Sequence, residues 1–381
     1  MKTTKKQKKS NLKVSLLLLL LAAVLLISST YAWFVSNTNV TVSTLQVNVE
    51  SVQGIQISVD AETWQPAIDK AALASVGTPT SNNPSAINQL PDKMKPVSTI
   101  GEVDQTTGTM NMYLGSLVTK TTATDGNSVD YYALTSVKQT DVNGVPTEEG
   151  TQPGHYIAFD MFLKYDGAEA TKIYARPGSG VTFADAASQA KKLEYATRIA
   201  FIKEGWVAST AENAKATAQG KKYTDKDTAN CGIYIWEPNY DLHNTAGTTN
   251  AKSQYNVTLT ETTTDSIPYS GVKAAIAESL NVYYGKPGAL EGPKYWTATD
   301  YTDCFASVGV NIKTKAAFDT NTELFSINPG ITKIRVYMWV EGQDVDELYF
   351  RYTMIRVGFY FKELIPEETE GKNHNSERSV C

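Results

Sequence analysis

The hydrophobic pattern of the chain changes near residue 35, from one continuous apolar block to an alternation of apolar and polar residues. The block, residues 14–27, contains no charge, glycine or proline, and six lysines precede it. A small polar run follows and ends at Ala32. A basic head, an apolar middle and a small-residue exit are the three parts of a secretory signal. The pattern therefore predicts that the chain is exported.

The processing site and the fate of the block are separate questions. Thr30 and Ala32 are the candidates for recognition by a signal peptidase, whose pockets accept slender side chains, so residues 1–32 are predicted to be a signal peptide that begins as an N-terminal hydrophobic helix. The block is about 14 residues long, shorter than the roughly 20 that a membrane-spanning helix needs. Counting on through Val35 gives about 22 residues, and an uncleaved anchor remains an alternative. Any contact with a membrane is expected only through this segment.

The alternation after residue 35 predicts β-strands, with one face on a core and the other in water. The first strand candidates are residues 40–49 and 55–59. Further candidates, several of them rich in aromatic and β-branched residues, are residues 110–118, 131–139, 156–165, 233–236, 334–340 and 348–361. Residues 33–362 are therefore predicted to be one mainly β domain, a β-sandwich.

Helical and irregular segments interrupt these strands. Residues 184–202 have the spacing of a helix, although the end of that segment, 197–202, is also compatible with a strand. Insertions are predicted near 184–228, with an exposed polar part at 208–228, and near 241–293, with a short amphipathic helix at 272–280. Residues 363–381 are charged and polar, which predicts a disordered tail.

Charge excludes one class of partner. The formal net charge is −5, and removal of residues 1–32, which hold six lysines and no acid, leaves 29 basic against 40 acidic residues. An acidic surface without a basic stripe repels phosphate backbones, so no binding to nucleic acid is expected.

Three cysteines allow one disulfide. Outside a cell Cys231 and Cys304 could pair, and two separate buried thiols are an equally good alternative, whereas Cys381 ends the polar tail. There is no CxxC pair in the sequence, which excludes a zinc knuckle or a thioredoxin-type site.

No enzymatic motif is present in the sequence. The three histidines, His155, His243 and His374, form no HExxH pair, and both the GxSxG elbow and the phosphate-binding P-loop are missing. Glu237 and Glu341 are a conceivable carboxylate pair for glycoside hydrolysis. A strand-terminating turn at Pro238 explains the first of them better. We expect no catalysis, cofactor or tightly bound metal.

Binding sites leave only weak signals. Calcium candidates are Asp344, Asp346 and Glu347, and a second acidic pair is Asp225 and Asp227; both clusters fit solvated loops better because neither has the ligand spacing of an EF-hand. The tryptophans Trp33, Trp206 and Trp296 flank polar loops and could form a glycan platform, although most aromatic residues fall within strand patterns where packing explains them.

Residues 29–34, followed at once by strands rich in Asn, Thr and Val, resemble the exported proteins of Gram-positive bacteria with a signal peptide of the TasA/camelysin type. Further stretches similar to large surface proteins with that exit are residues 90–91, 96–99, 156–165, 196–201, 236–239 and 335–346. The resemblance implies a jelly-roll-like β-sandwich, a dedicated signal peptidase, and display in the cell envelope or an extracellular matrix such as a biofilm. For its matrix-forming members it also implies fibres formed by donation of an N-terminal strand.

Two functions follow as expectations. The first is a structural surface or matrix protein that assembles into a homopolymer through a donor strand, although the same strand could be taken up by its own chain. The apolar residues of that strand are Val40, Val42, Leu45, Val47 and Val49. Proline at Val42 and Val47 is expected to abolish filaments and to leave the exported fold intact. The second function is a glycan- or host-binding module without catalytic activity.

Overall fold

The computed structural model describes residues 39–50, 54–75, 88–91, 93–121, 128–137, 153–183, 193–245, 247–249, 258–260, 271–272, 305–306, 310–342, 344 and 352–363. The predicted signal peptide with Thr30 and Ala32, and all but the first residue of the predicted tail, lie outside these residues. The described part is mainly β, as the alternation predicted, and its strands form several sheets.

Sheet A is the larger of two main sheets. Its strands are β1 (Asn39–Glu50), β3 (Ala67–Asp69), β5 (Lys93–Met94), β9 (Pro153–Gly154), β11 (Thr171–Ala175), β12 (Gly180–Phe183), β18 (Thr322–Ile327) and β20 (Tyr352–Glu363). They run in the order β18-β11-β20-β1-β5-β9, with β12 also paired to β20 and β3 also paired to β1.

Sheet B contains the most deeply buried strands. Its members are β2 (Gln56–Ser58), β4 (Asn88–Gln89), β10 (Ile157–Tyr165), β13 (Thr197–Val207), β14 (Gly232–Glu237), β17 (Val310–Lys313) and β19 (Gly330–Val340). The order is β17-β14-β13-β19-β10-β2, with β4 also paired to β10. Every residue of β19 is buried.

The remaining elements are small. A third sheet has the order β6-β7-β8, formed by β6 (Ser98–Asp104), β7 (Thr109–Thr121) and β8 (Ser128–Val137). Strands β15 (Gly271–Val272) and β16 (Phe305–Ala306) pair with each other. The short helices α1 (Lys70–Ser75) and α2 (Ala214–Gln219) and a 3₁₀ turn (Leu193–Ala196) complete the described elements. None of the helices in these described segments is long and apolar enough to cross a membrane.

Sheets A and B share one apolar core. Aromatic rings join them, since the ring centroid of Phe201 on β13 lies 5.5 Å from that of Phe325 on β18 and 5.8 Å from that of Phe361 on β20. Leu45 and Val47 of β1 lie in the same core. Side chains that alternate along each strand put these residues on one face.

The opposite face of sheet B is also covered. The β6–β7 hairpin packs Val103, Met110 and Met112 against Tyr337 and Trp339 of β19. Farther along the strands, Ala218 of α2 packs in a cluster with Phe162 and Ile331. Sheet B is therefore buried on both faces. Its central strands are antiparallel, and antiparallel sheets commonly leave one face in solvent.

Two predictions of secondary structure need correction. The helix predicted at 184–202 is wrong over 193–202, where the chain forms the 3₁₀ turn and then β13, the alternative that the sequence left open for 197–202. A strand buried on both faces loses the alternation that identifies strands, and a run of apolar residues then resembles a helix. The insertion predicted near 184–228 thus contains a central strand, and Ala218 and Gln219, predicted to be exposed, are buried. Val272, predicted to begin a helix, ends β15, and 273–280 lie outside the described residues.

Candidate functional site

Strand β1, the predicted donor strand, lies inside sheet A. It runs parallel to β20 from the pair Asn39 and Tyr352 to the pair Glu50 and Lys362. On its other side it pairs antiparallel with β3 and β5. The strand is therefore taken up by its own chain in this structure, which is the second alternative stated for it.

The apolar residues predicted for β1 divide into two groups. Leu45 and Val47 are buried, and Val49 is half-buried against the same core. Val40 and Val42 lie in the strand opposite Thr353 and Ile355 of β20.

A β-bulge separates the two groups. The register with β20 shifts between Val42 and Thr44, so Ser43 is the additional residue. Two polar residues in succession, Ser43 and Thr44, break the alternation of the sequence at this point. A bulge restores the facing of the following side chains because one extra residue changes the phase of a period-two pattern.

The position of β1 changes the expectation for proline. Proline removes a ladder hydrogen bond and is tolerated mainly at edges or bulges. Because β1 has neighbours on both sides, proline at Val47 would damage the fold of the chain itself. The pairing of β1 therefore argues against an intact fold in such a variant, and a different test of strand exchange is needed.

Asp344, a predicted calcium ligand, is paired with a cation. Its carboxylate accepts a hydrogen bond from the Arg198 guanidinium; Arg198 is buried and Asp344 is half-buried. Arg198 Nε lies 3.5 Å from Oε1 of Glu237, which joins the calcium candidate and the carbohydrase candidate in one ion cluster. Asp346 and Glu347 lie outside the described residues. Among the described residues no group of three or more His, Cys, Asp or Glu side chains is arranged to hold a metal ion.

Glu237 and Glu341 are both buried, with exposures of 2% and 0%. Oε2 of Glu341 accepts a hydrogen bond of 2.9 Å from the indole of Trp339. A buried carboxylate that is already paired is not presented to a polysaccharide. The chain turns directly after Glu237, as the preference for a strand-terminating turn predicted.

The other residues that the sequence singled out lie in turns or packing positions. Asp227 accepts hydrogen bonds from the Asn230 amide, and the indole of Trp206 donates to the carbonyl of Pro329. Ser179 lies in a tight turn, where its N–H donates to the carbonyl of Arg176. The residues that fall outside the described part are Trp33, Trp296, His374, Cys304 and Cys381.

Cys231 is buried and forms no disulfide with another of the described residues. Burial raises the pKa of its thiol above the ordinary value. Because Cys304 is not among the described residues, its disulfide with Cys231 stays a prediction.

The sequence analysis missed a buried cluster of four charged side chains on sheet B. The ionic quartet consists of Asp160 on β10, Glu204 on β13, and Lys333 and Arg335 on β19. Their exposed fractions are 3%, 0%, 0% and 0%. When both acids are ionised, the two acids and two bases give the quartet no net charge.

The quartet is held by close contacts. Arg335 binds Asp160 through two parallel hydrogen bonds, Nε to Oδ1 at 2.7 Å and Nη2 to Oδ2 at 3.0 Å. Lys333 Nζ lies 3.3 Å from Asp160 Oδ2 and 3.4 Å from Glu204 Oε2. Arg335 Nη1 lies 3.3 Å from Glu204 Oε1. Lys333 and Arg335 are two residues apart on one strand, so their side chains project to the same face.

A β-bulge brings Glu204 to this face. The register between β13 and β19 shifts between Lys203 and Gly205, which leaves Glu204 as the extra residue. A bulge redirects a side chain in this way. Lys203 before it donates instead to the carbonyls of Ala229 and Ser326.

Two segments cover the quartet with backbone carbonyls. Arg335 Nη1 donates to the carbonyl of Gly108 in the β6–β7 turn at 2.7 Å. Lys333 Nζ donates to the carbonyls of Gln219 and Lys221, each at 3.0 Å. The charged side chains thus attach both covering segments to sheet B.

The two acids of the quartet have opposite electrostatic environments. Burial by itself would raise the pKa of Asp160, but Arg335 and Lys333 outweigh it and hold this pKa below its usual value. Burial raises the pKa of Glu204 to about 7, because the same two cations are less effective there and Asp160 adds repulsion. Neither carboxylate oxygen of Glu204 accepts a hydrogen bond of good geometry from the described residues.

One signal in the sequence could have indicated the quartet. β19 contains two cations between apolar residues, and β10 contains one acid within an aromatic run. A charge within an otherwise apolar strand requires a partner if both faces are buried. The pattern along a single strand does not reveal that both faces of the sheet are buried, so the need of these charges for partners was not apparent from the sequence.

Comparison with known proteins adds no further information, since no protein-family model, curated protein or solved structure matches the chain.

Proposed function

We propose that the chain is an exported structural protein of the cell surface or of an extracellular matrix. In this proposal residues 1–32 direct export as a hydrophobic helix that a signal peptidase removes near Ala32. The body is a jelly-roll-like β-sandwich, and its role does not involve catalysis. The burial and charge-pairing of Glu237 support the last point.

The pairing of β1 is the observation that carries the proposal. β1 is the first strand after the predicted cleavage point, and it pairs with β20 over eleven register positions. Leu45 and Val47 place apolar side chains in the core. A strand near a chain terminus that contributes both a backbone ladder and core side chains is suited to exchange between copies.

The physical basis of exchange is simple. A sheet that lacks β1 exposes the hydrogen-bonding edge of β20 and an apolar groove, and such an edge is a template for strand addition. A β1 strand from a second copy would make the same contacts that β1 makes within the chain. Repetition from copy to copy would give a linear homopolymer.

Export and assembly are tested together. Mass spectrometry of the first residue of the protein released by its host is expected to place the new N-terminus directly after Ala32. Electron microscopy of the cell surface is expected to show filaments of this protein. A cytosolic protein with its lysine-rich head intact would contradict the export proposal.

A cysteine pair distinguishes exchange from an internal strand. Asn48 and Tyr360 are register partners in β1 and β20, and neighbouring strands lie about 4.8 Å apart, within the Cα range of a disulfide. In a background without the native cysteines, Asn48→Cys with Tyr360→Cys is expected to link neighbouring copies in filaments. Gel electrophoresis without reductant would then show a ladder of multimers, which reductant collapses to one band.

The matched control moves one cysteine by one position. Asn48→Cys with Phe359→Cys places the two thiols on opposite faces of sheet A and is expected to give no link. Filaments in which the register pair links only within single chains would contradict strand exchange, while the proposed export would remain intact.

A further inference from the structure

The ionic quartet places a lysine amine against two carboxyl groups in a site closed to solvent. Lys333 Nζ is within 3.3 Å of Asp160 and 3.4 Å of Glu204, and the three side chains are at least 97% buried. We propose that Lys333 and Glu204 condense to form an intramolecular amide bond that joins β19 to β13. The bond would form wherever the chain folds, independently of export or assembly.

The hydrogen bonds of Lys333 orient its amine for this reaction. An ammonium group has three donors. Two of them reach the carbonyls of Gln219 and Lys221, each at 3.0 Å. The third direction is left for the two carboxylates. Reactants held at contact distance gain a large advantage over the same groups free in water.

The two acids are suited to different roles. Asp160 is fixed by the two hydrogen bonds from Arg335, so it stays ionised and can accept a proton from Lys333. An ionised, resonance-stabilised carboxylate is a poor target for an amine. Glu204 lacks a fixed hydrogen bond among the described residues, and its raised pKa, about 7, leaves a substantial fraction protonated near neutral pH. Glu204 is therefore the electrophile and Asp160 the base.

The reaction balances without a co-reactant. The Lys333 ammonium gives one proton to Asp160, and the lone pair of the amine forms the new C–N bond at Cδ of protonated Glu204. The developing negative charge on Oε1 is stabilised by Arg335 Nη1, which lies 3.3 Å away. A second proton leaves nitrogen with the Glu204 hydroxyl as water. The proton held by Asp160 then returns to solvent, so the products are one amide, one water and one proton.

The charges that remain are still matched. Formation of the amide removes the positive charge of Lys333 together with the carboxyl group of Glu204. Asp160 and Arg335 remain as a closed bidentate pair, which is the arrangement that a buried carboxylate requires. The amide N–H can keep a carbonyl acceptor in the covering segment. The product thus leaves less unpaired charge in the interior than the reactants do.

The surface of the same molecule provides an internal control. Lys215 also forms an ion pair with a glutamate, Glu62, but both side chains are exposed, at 41% and 64%. Solvent reaches both groups there, so this pair is expected to stay unlinked. Contact between lysine and glutamate is therefore not sufficient, and burial is the variable under test.

The decisive measurement is the mass of the folded full-length chain. The linked protein is expected to be lighter than its processed sequence by one water molecule. Trypsin is expected to release residues 204–215 joined to residues 316–335, with fragmentation placing the bond between Glu204 and Lys333. No peptide that joins Glu62 to Lys215 is expected in the same digest, and trypsin is expected to cleave normally after Lys215.

Variants separate the roles of the two acids. Asp160→Asn keeps the shape of the side chain and removes the base, and the linked fraction is expected to fall at least tenfold. Glu62→Gln is the matched control and is expected to leave the linked fraction unchanged. If Asp160→Asn does not fold, the wild-type mass and digest still decide the proposal.

Two results would overturn it. A folded wild-type chain that keeps the full sequence mass after prolonged incubation at neutral pH would show that no bond forms. A bond from Lys333 to Asp160 would show that the assignment of electrophile and base is wrong.

Discussion

Both faces of sheet B are buried, yet the two faces are built from different chemistry. The face toward sheet A is apolar and aromatic, with residues such as Phe159, Phe201 and Val336. The opposite face carries the ionic quartet between two apolar patches, one under the β6–β7 hairpin and one near α2. The same strands supply both faces, because side chains alternate along each of them.

The comparison shows how two kinds of burial constrain a fold. An apolar face gains from any well-packed cover, since the hydrophobic effect has no direction. A buried charge is costly unless its partners are present with good geometry. The quartet therefore fixes where the β6–β7 turn and the segment after α2 can lie, while the apolar face mainly provides stability.

The largest effect is expected when the quartet loses one cation. Arg335→Met leaves Asp160 without its two hydrogen bonds, and the expected loss is about 3–5 kcal/mol in the free energy of unfolding. Denaturant titration of the full chain measures this loss. Lys172→Met, which breaks an exposed pair with Glu323, is the control and is expected to cost far less, because solvent screens a surface ion pair. Equal effects for the two variants would contradict a stabilising role for the quartet.

A smaller effect is expected where the covering turn meets the quartet. Gly108 has φ +69°, and a Cβ there would lie 3.1 Å from Glu204 Oε1 and 3.3 Å from Arg335 Nη1. Gly108→Ala is expected to cost about 1–3 kcal/mol from backbone strain, plus the displacement of these side chains.

Gly54→Ala provides the comparison for Gly108→Ala. Gly54 also has a positive φ, +88°, but a Cβ there meets no atom within 4 Å. Gly54→Ala therefore reports backbone strain alone. Thermal denaturation is expected to show a smaller decrease in melting temperature for this variant than for Gly108→Ala. Identical melting temperatures for the two variants would show that a Cβ at position 108 does not displace the side chains of the quartet.

The smallest effect is expected at the exposed end of the same turn. Oδ1 of Asp104 accepts hydrogen bonds from the N–H groups of Thr106 and Thr107, and these bonds lower the pKa of Asp104 below 3.8. Asp104→Ala is expected to cost about 0.5–1.5 kcal/mol at neutral pH.

The pH dependence of this contribution has a definite sign. Because the folded pKa is lower than the unfolded one, the stabilisation is present above the unfolded value, 3.8, and is lost as the pH falls through the folded pKa. The free energies of unfolding of Asp104→Ala and of wild type, measured from pH 7 to pH 2, are expected to become equal at the acid end. Asp104→Asn keeps a hydrogen-bond acceptor, and its stability at neutral pH is expected to lie between those of Asp104→Ala and wild type. A difference that stays constant with pH would exclude the carboxylate as its cause.

The sequence by itself located most of the long strands. Alternation and aromatic content located β1, β10, β14, β19 and β20, and even the bulge in β1 has a local cause in the pair Ser43 and Thr44. These features depend on the period of side-chain direction, which is a property of neighbouring residues.

Only the tertiary structure decided which of these strands are buried on both faces and which charged side chains pair with each other. β13 was ambiguous in the sequence because burial on both faces removes the alternation. Asp160 and Arg335 are 175 residues apart, and nothing local to either one specifies the other. Sheet order, strand register and the bulge at Glu204 determine which charged side chains become neighbours across that distance. A buried charge can pair only after the strands that carry the two partners have come together.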